Sequence, residues 1–138
     1  MGTDIHLHIE VKIEGVWHHY SHPSLRRNYR CFAKLADVRN SGDITPIAQP
    51  RGMPEDATAL TKLMCENRGE DGHSHSWLSA EEISEFYVWY EELNLEWPDN
   101  YVESWLHTYL DNNGFDYTRW DCKPDWLEDL RFVFWFDC

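Results

Sequence analysis

Between residues 3 and 14 apolar and polar side chains alternate. Ile5, Leu7, Ile9, Val11 and Ile13 fall on one side, and Asp4, His6, His8, Glu10 and Lys12 on the other. A period of two over this length predicts a half-buried strand. Glu14-Gly15 predicts a two-residue hairpin turn into a second strand over residues 16–20. That register sets Ile13 opposite Val16, Glu10 opposite His19 and His8 opposite Ser21. Directly opposed residues share a face, so His19 joins His6 and His8 on the polar side while His18 turns to the apolar side.

Further along, residues 26–37 read as a short helix and residues 43–54 as a loop rich in proline, with Arg51-Gly52 at its turn. Pro54-Glu55-Asp56 predicts the start of a helix with Ala57, Leu60 and Leu63/Met64 on its inner face, stopped at Gly69. The stretch GEDGHSHSWLS, residues 69–79, reads as a turn carrying His73 and His75. Ser79 and Glu82 form a capping box for a helix whose inner stripe is Ile83, Phe86, Tyr87 and Tyr90. Another helix is expected over residues 100–110, ending at Asn113-Gly114, and a short turn over 124–127. Residues 131–136, RFVFWF, are apolar enough for a strand buried on both faces and paired with the first strand. The pattern predicts one α+β domain over residues 1–138: a small, mainly antiparallel sheet, built from the N-terminal hairpin and the C-terminal strand, packed with several helices.

Composition narrows the class. Eight Trp, seven Tyr and six Phe are more aromatic mass than a disordered chain carries. No run of about 18 apolar residues exists, and no basic stretch precedes an apolar one at the start; a cytoplasmic location without membrane attachment is expected. Cys31, Cys65, Cys122 and Cys138 are scattered without a CxxC pair and read as reduced thiols. Residues 1–51 hold seven basic and five acidic side chains; the rest of the chain holds five and twenty. Such a surface repels a long phosphate backbone, which disfavours bulk nucleic acid and leaves room for a small anion in a local basic pocket.

Candidate chemistry centres on histidine. His6 and His8, two apart on a strand, point to one side beside Asp4 and are candidate ligands for a divalent metal such as Zn, Mn or Mg. His73 and His75, with Asp71 and the Gly72 turn, are candidate catalytic groups near neutral pH, together with Asp4. Arg51 and Arg27 suit bidentate phosphate recognition. Tyr29, Ser74, Ser76 and His19 complete the candidate substrate-binding set. The bland readings are a solvated strand face, a surface turn, and arginines neutralised by surplus carboxylates.

Several segments also resemble a family of small phage and bacterial proteins: MG-x-DIH at 1–6, RNY at 27–29, PRGMPED at 50–56, DGHSHSWL at 71–78 and FWFD at 134–137. Members often carry Cys where this chain has Thr3, which removes a thiolate role there. The resemblance implies common descent and points to the same residues. A phage setting suits a small protein acting against a host factor or signal.

The residues together suggest a small histidine-rich hydrolase that cleaves a phosphodiester in a nucleotide or cyclic nucleotide signal. It would use either a metal-activated water or a histidine acid–base pair. One alternative is a binding protein that sequesters such a ligand intact; another is an acidic decoy for a basic host protein. The expected partner is a small phosphate-containing ligand, with self-association left open.

Overall fold

The computed structural model describes residues 2–68, 71–96 and 124–137. Among these residues, four antiparallel strands and three helices make the expected α+β fold: β1 (Asp4–Ile13), β2 (Val16–Ser21), α1 (Tyr29–Ala36), α2 (Ala59–Arg68), β3 (Gly72–Ser79), α3 (Ala80–Glu96) and β4 (Asp129–Asp137). The sheet order is β2-β1-β4-β3. β4 is thus central, and its RFVFWF run is buried on both faces, as its continuous apolarity implies. The expected helix over 100–110 lies outside the described residues, as do the stop at Gly69 and the cysteines at 122 and 138. Of the other two cysteines, both free, Cys31 is buried and Cys65 half-buried. Among the described residues no helix is long and apolar enough to cross a membrane.

The hairpin follows its pattern closely. Glu14 and Gly15 both take positive φ, 50° and 77°, the handedness that a two-residue turn between twisted strands requires. Ile13 faces Val16 and Glu10 faces His19. Beyond that point a bulge between Ile9 and Glu10 shifts the register, so Ser21 lies opposite Ile9 and not His8. β2 ends there, and among the described residues no strand lies against the outer edge of Asp4–His8.

One face of the sheet presents Ile5, Leu7, Ile9, Phe132, Phe134 and Phe136 to α1 and α3. α1 starts three residues later than expected, because the Asn28 side chain accepts from the Cys31 N–H and caps it; the left-handed Asp37 ends it. The box at the start of α3 forms as expected, with Ser79 Oγ accepting from Glu82 N–H and Glu82 Oε1 from Ser79 N–H. Ile83, Phe86, Tyr87 and Tyr90 are its buried stripe.

α2 departs from its expected face. Leu60 and Leu63 are exposed, and Thr61 is fully buried in their place. The cause is Glu10, a carboxylate on the polar face of β1 with no exposure. Its Oε2 accepts from Thr58 N–H at 2.9 Å, Thr58 Oγ1 at 2.7 Å and Thr61 Oγ1 at 2.8 Å. An unsatisfied buried carboxylate costs far more than two exposed leucines, so the hydroxyls, and not the leucines, set the rotation of α2.

Candidate functional site

The second face of the sheet carries His6, His8 and His19. His6 pairs with Trp135 and His8 with Val133 across β1 and β4. Because β2 stops at Ser21, an open cleft of about 510 Å³ forms beside the start of β1, walled in part by the segment that follows β2. It is lined by Asp4, His6, His8, His22, Ser24, Leu25, Met64 and Trp135 among others. That volume lies within the usual range for small-molecule sites.

Trp135 is the organising side chain. It is 1% exposed, and three imidazoles stack on it: His8 at 5.0 Å with 12° between planes, His6 at 5.8 Å and His75 at 6.1 Å. Its indole N–H has no hydrogen-bond partner among the described residues. A buried donor left unmade costs about 1–3 kcal/mol and calls for an explanation.

His6 Nε2 lies 2.7 Å from Asp137 Oδ2. An ionised carboxylate can only accept, so Nε2 carries the proton and Nδ1 is the basic nitrogen of the neutral ring. On the other flank, His8 Nδ1 lies 2.9 Å from His19 Nε2, and His22 packs against both rings. Arg27 donates through Nε and Nη2 to the two oxygens of Asp4, which lines the cleft. A Cβ on Gly2 would stand 2.0 Å from Arg27 Nη1; glycine in the opening MG-x-DIH run therefore lets the guanidinium pass.

The two expected histidine pairs meet only in part. His73 and His75 lie in a strand, not in a turn, and a bulge between His73 and Ser76 inserts one residue. Ser74 absorbs it with φ 55°. His75 therefore turns to Trp135, while His73 turns to the other face and stacks on Phe136 at 6.3 Å. Assigning His73 and His75 to one catalytic unit is corrected on that ground. Asp71 is exposed ahead of β3 and does not line the cleft.

Most of the expected substrate-binding set serves other purposes. Arg51 donates to both oxygens of Glu82, lies 4.6 Å over the Trp77 ring and donates to Trp77 O. Ser76 is fully buried and its Oγ accepts from Arg51 N–H, while Ser74 Oγ bonds His73 Nδ1. Tyr29 accepts from Thr3 N–H and lines a separate pocket with Arg30, Arg39 and Trp89. Arg51, Tyr29, Ser74 and Ser76 are thus not brought to the cleft; Asp4, His6 and His8 line it, and Arg27 adjoins it only through Asp4. Sequence reasoning missed Trp135, Asp137 and His22. The first two were legible as same-side residues of the closing strand, opposite His6 and Asp4.

As placed, no three His, Cys, Asp or Glu side chains among the described residues gather their donor atoms around a metal position. The expected His6 and His8 metal pair is split, since His6 turns to Asp137 and His8 to His19.

The environment keeps the inner histidines neutral. Burial, followed by the neighbouring His19 and His22, lowers the pKa of His8 to about 4 against the pull of Glu10. Burial and His22 lower that of His19, and burial followed by His73 lowers that of His75. Linkage then has a definite sign. The unfolded chain protonates His8 below about pH 6.5, and the folded one only near pH 4, so stability present above 6.5 is lost as pH falls. The loss from His8 should reach about 2 kcal/mol at pH 5. Urea midpoints taken with chelator present should fall less steeply with pH in His8→Gln; parallel slopes would contradict a neutral buried His8.

Comparison of the chain with protein-family models, curated proteins and solved structures finds no match.

Proposed function

We propose that the chain is a small hydrolase acting on a phosphate-containing small molecule, a nucleotide or cyclic nucleotide, bound in the cleft beside Trp135. The observation that carries this reading is the 2.7 Å contact between Asp137 and His6, a residue that lines that cleft. A histidine whose tautomer is fixed by a carboxylate is equipped to take a proton from an attacking water, and Asp137 stabilises the imidazolium that results. Arg27, paired with Asp4 on the cleft's lining, would supply positive charge where a phosphoryl oxygen gains negative charge. The role expected of His73 passes to His6 in this scheme.

A second reading, sequestration without cleavage, is favoured by one feature: His8, His19 and His75 are held neutral, as hydrogen-bonding rather than charged groups. Mass spectrometry separates the two. Untagged protein is incubated with a panel of nucleotides and cyclic dinucleotides and then denatured. Hydrolysis predicts new phosphate-bearing products that appear with catalytic amounts of protein. Sequestration predicts stoichiometric depletion and return of the intact ligand. A panel that passes through unchanged and unbound would overturn both.

A further inference from the structure

We infer that His8, His19 and His22 form a binding site for a tetrahedral transition-metal ion, with zinc the best fit. The three side chains come from β1, from β2 and from the segment just after it. Their ring centroids form a nearly regular triangle with edges of 5.1, 5.4 and 5.8 Å. Three imidazoles on one tetrahedral ion, with metal–nitrogen bonds of about 2.0–2.1 Å, place their centroids about 5 Å apart and their ligating nitrogens about 3.3 Å apart. His8 Nδ1 and His19 Nε2 already stand 2.9 Å apart.

The third nitrogen is the one that must move. His22 is exposed and lies in the chain beyond β2, so turning its side chain toward the pair disturbs no strand. Binding also requires a tautomer shift. One of the two facing nitrogens of His8 and His19 now carries the shared proton. That proton must move to the ring's other nitrogen, so that both facing lone pairs reach the ion. No charge changes hands.

The surroundings select both the ligands and the metal. Glu10, the nearest carboxylate on β1 to this trio, is committed to Arg131, Thr58 and Thr61. Three neutral nitrogens suit zinc and its neighbours and disfavour magnesium or calcium, which prefer oxygen. Both His8 and His22 line the cleft, so a fourth position would open toward it, the arrangement of a site that keeps water or ligand on the ion.

The test needs no substrate, so it stands or falls separately from the hydrolase reading. Metal-free, untagged chain is titrated with Co²⁺ and the visible d–d bands are recorded, followed by competition with Zn²⁺. The expected result is one equivalent of intensely absorbing four-coordinate cobalt, displaced by zinc. His22→Ala, at an exposed position, should weaken binding about tenfold or more while leaving the urea midpoint unchanged. His18→Ala, next to His19 but on the opposite side of β2, should bind as the parent does. Weak absorption of six-coordinate cobalt would overturn the assignment. So would affinity that is unchanged by His22→Ala, or lost equally with His18→Ala.

Discussion

Replacing Arg131 by methionine should lower the stability of the fold by about 3–5 kcal/mol, the usual cost of leaving one member of a buried ion pair alone. Arg131 Nε and Nη2 reach Glu10 Oε1 at 2.8 and 2.7 Å, with the two side chains 9% and 0% exposed. The same guanidinium donates to Asp56 Oδ1 and Asp56 O, and lies 4.0 Å over the Trp17 ring. Methionine keeps much of the stem's packing and removes every donor, so Glu10 keeps a buried charge with only the threonines to hold it. Burial alone would raise the Glu10 pKa; the hydrogen bonds from Thr58, Thr61 and Arg131 outweigh it and lower it. The pair's contribution is therefore present above the ordinary carboxylate range and lost as pH falls through it. Urea unfolding followed by tryptophan emission reads the loss. Adding Glu10→Leu to Arg131→Met should recover most of it, because the uncompensated charge goes too. A single variant that loses under 1 kcal/mol would mean that water reaches Glu10.

On the proposed hydrolase reading, the second large effect is on turnover. His6→Asn should reduce it by about 10²–10⁴-fold, the typical contribution of a positioned proton-transfer group, with little change in KM. Asparagine preserves a donor toward Asp137 and supplies no base. Asp137→Asn should act through His6: the amide can donate to Nε2, which favours the wrong tautomer and puts the proton on Nδ1. Its effect should match His6→Asn, and the double variant should lose no more than either single one. Full activity in both single variants would remove His6 from the reaction. His73→Ala, on the other face against Phe136, is the comparison: it should spare turnover.

Which parts of this arrangement were legible in sequence follows from the physics of each part. The hairpin and the pairing of β4 with β1 rest on side-chain alternation and on a turn whose handedness Glu14-Gly15 supplies. Both are local signals. β3 was misread because GEDGHSHS has turn composition and almost no apolar residues. Its strand character comes from pairing with β4, a long-range partner. The bulge at Ser74, which separates His73 from His75, has no local mark at all. α2 shows the reverse failure. Leu60 and Leu63 advertise an inner face, but a carboxylate 48 and 51 residues earlier captures Thr58 and Thr61. The site divides in the same way. His6, His8, Asp4 and Arg27 were visible as a polar strand face and a nearby cation, whereas Asp137 and Trp135 reach them only through the central strand pairing.

That central pairing also governs how the molecule assembles. Glu10 and Arg131 are 121 positions apart, and His6 and Asp137 are 131 apart. The β1–β2 hairpin closes over a few residues and can form within microseconds. The middle of the sheet waits on one of the longest loop closures this chain can make. Non-local strand pairing of this kind places refolding in the millisecond-to-second range and leaves β1 with an open apolar edge meanwhile. Trp135, docking late onto waiting imidazoles, should therefore report the last step of folding in its emission.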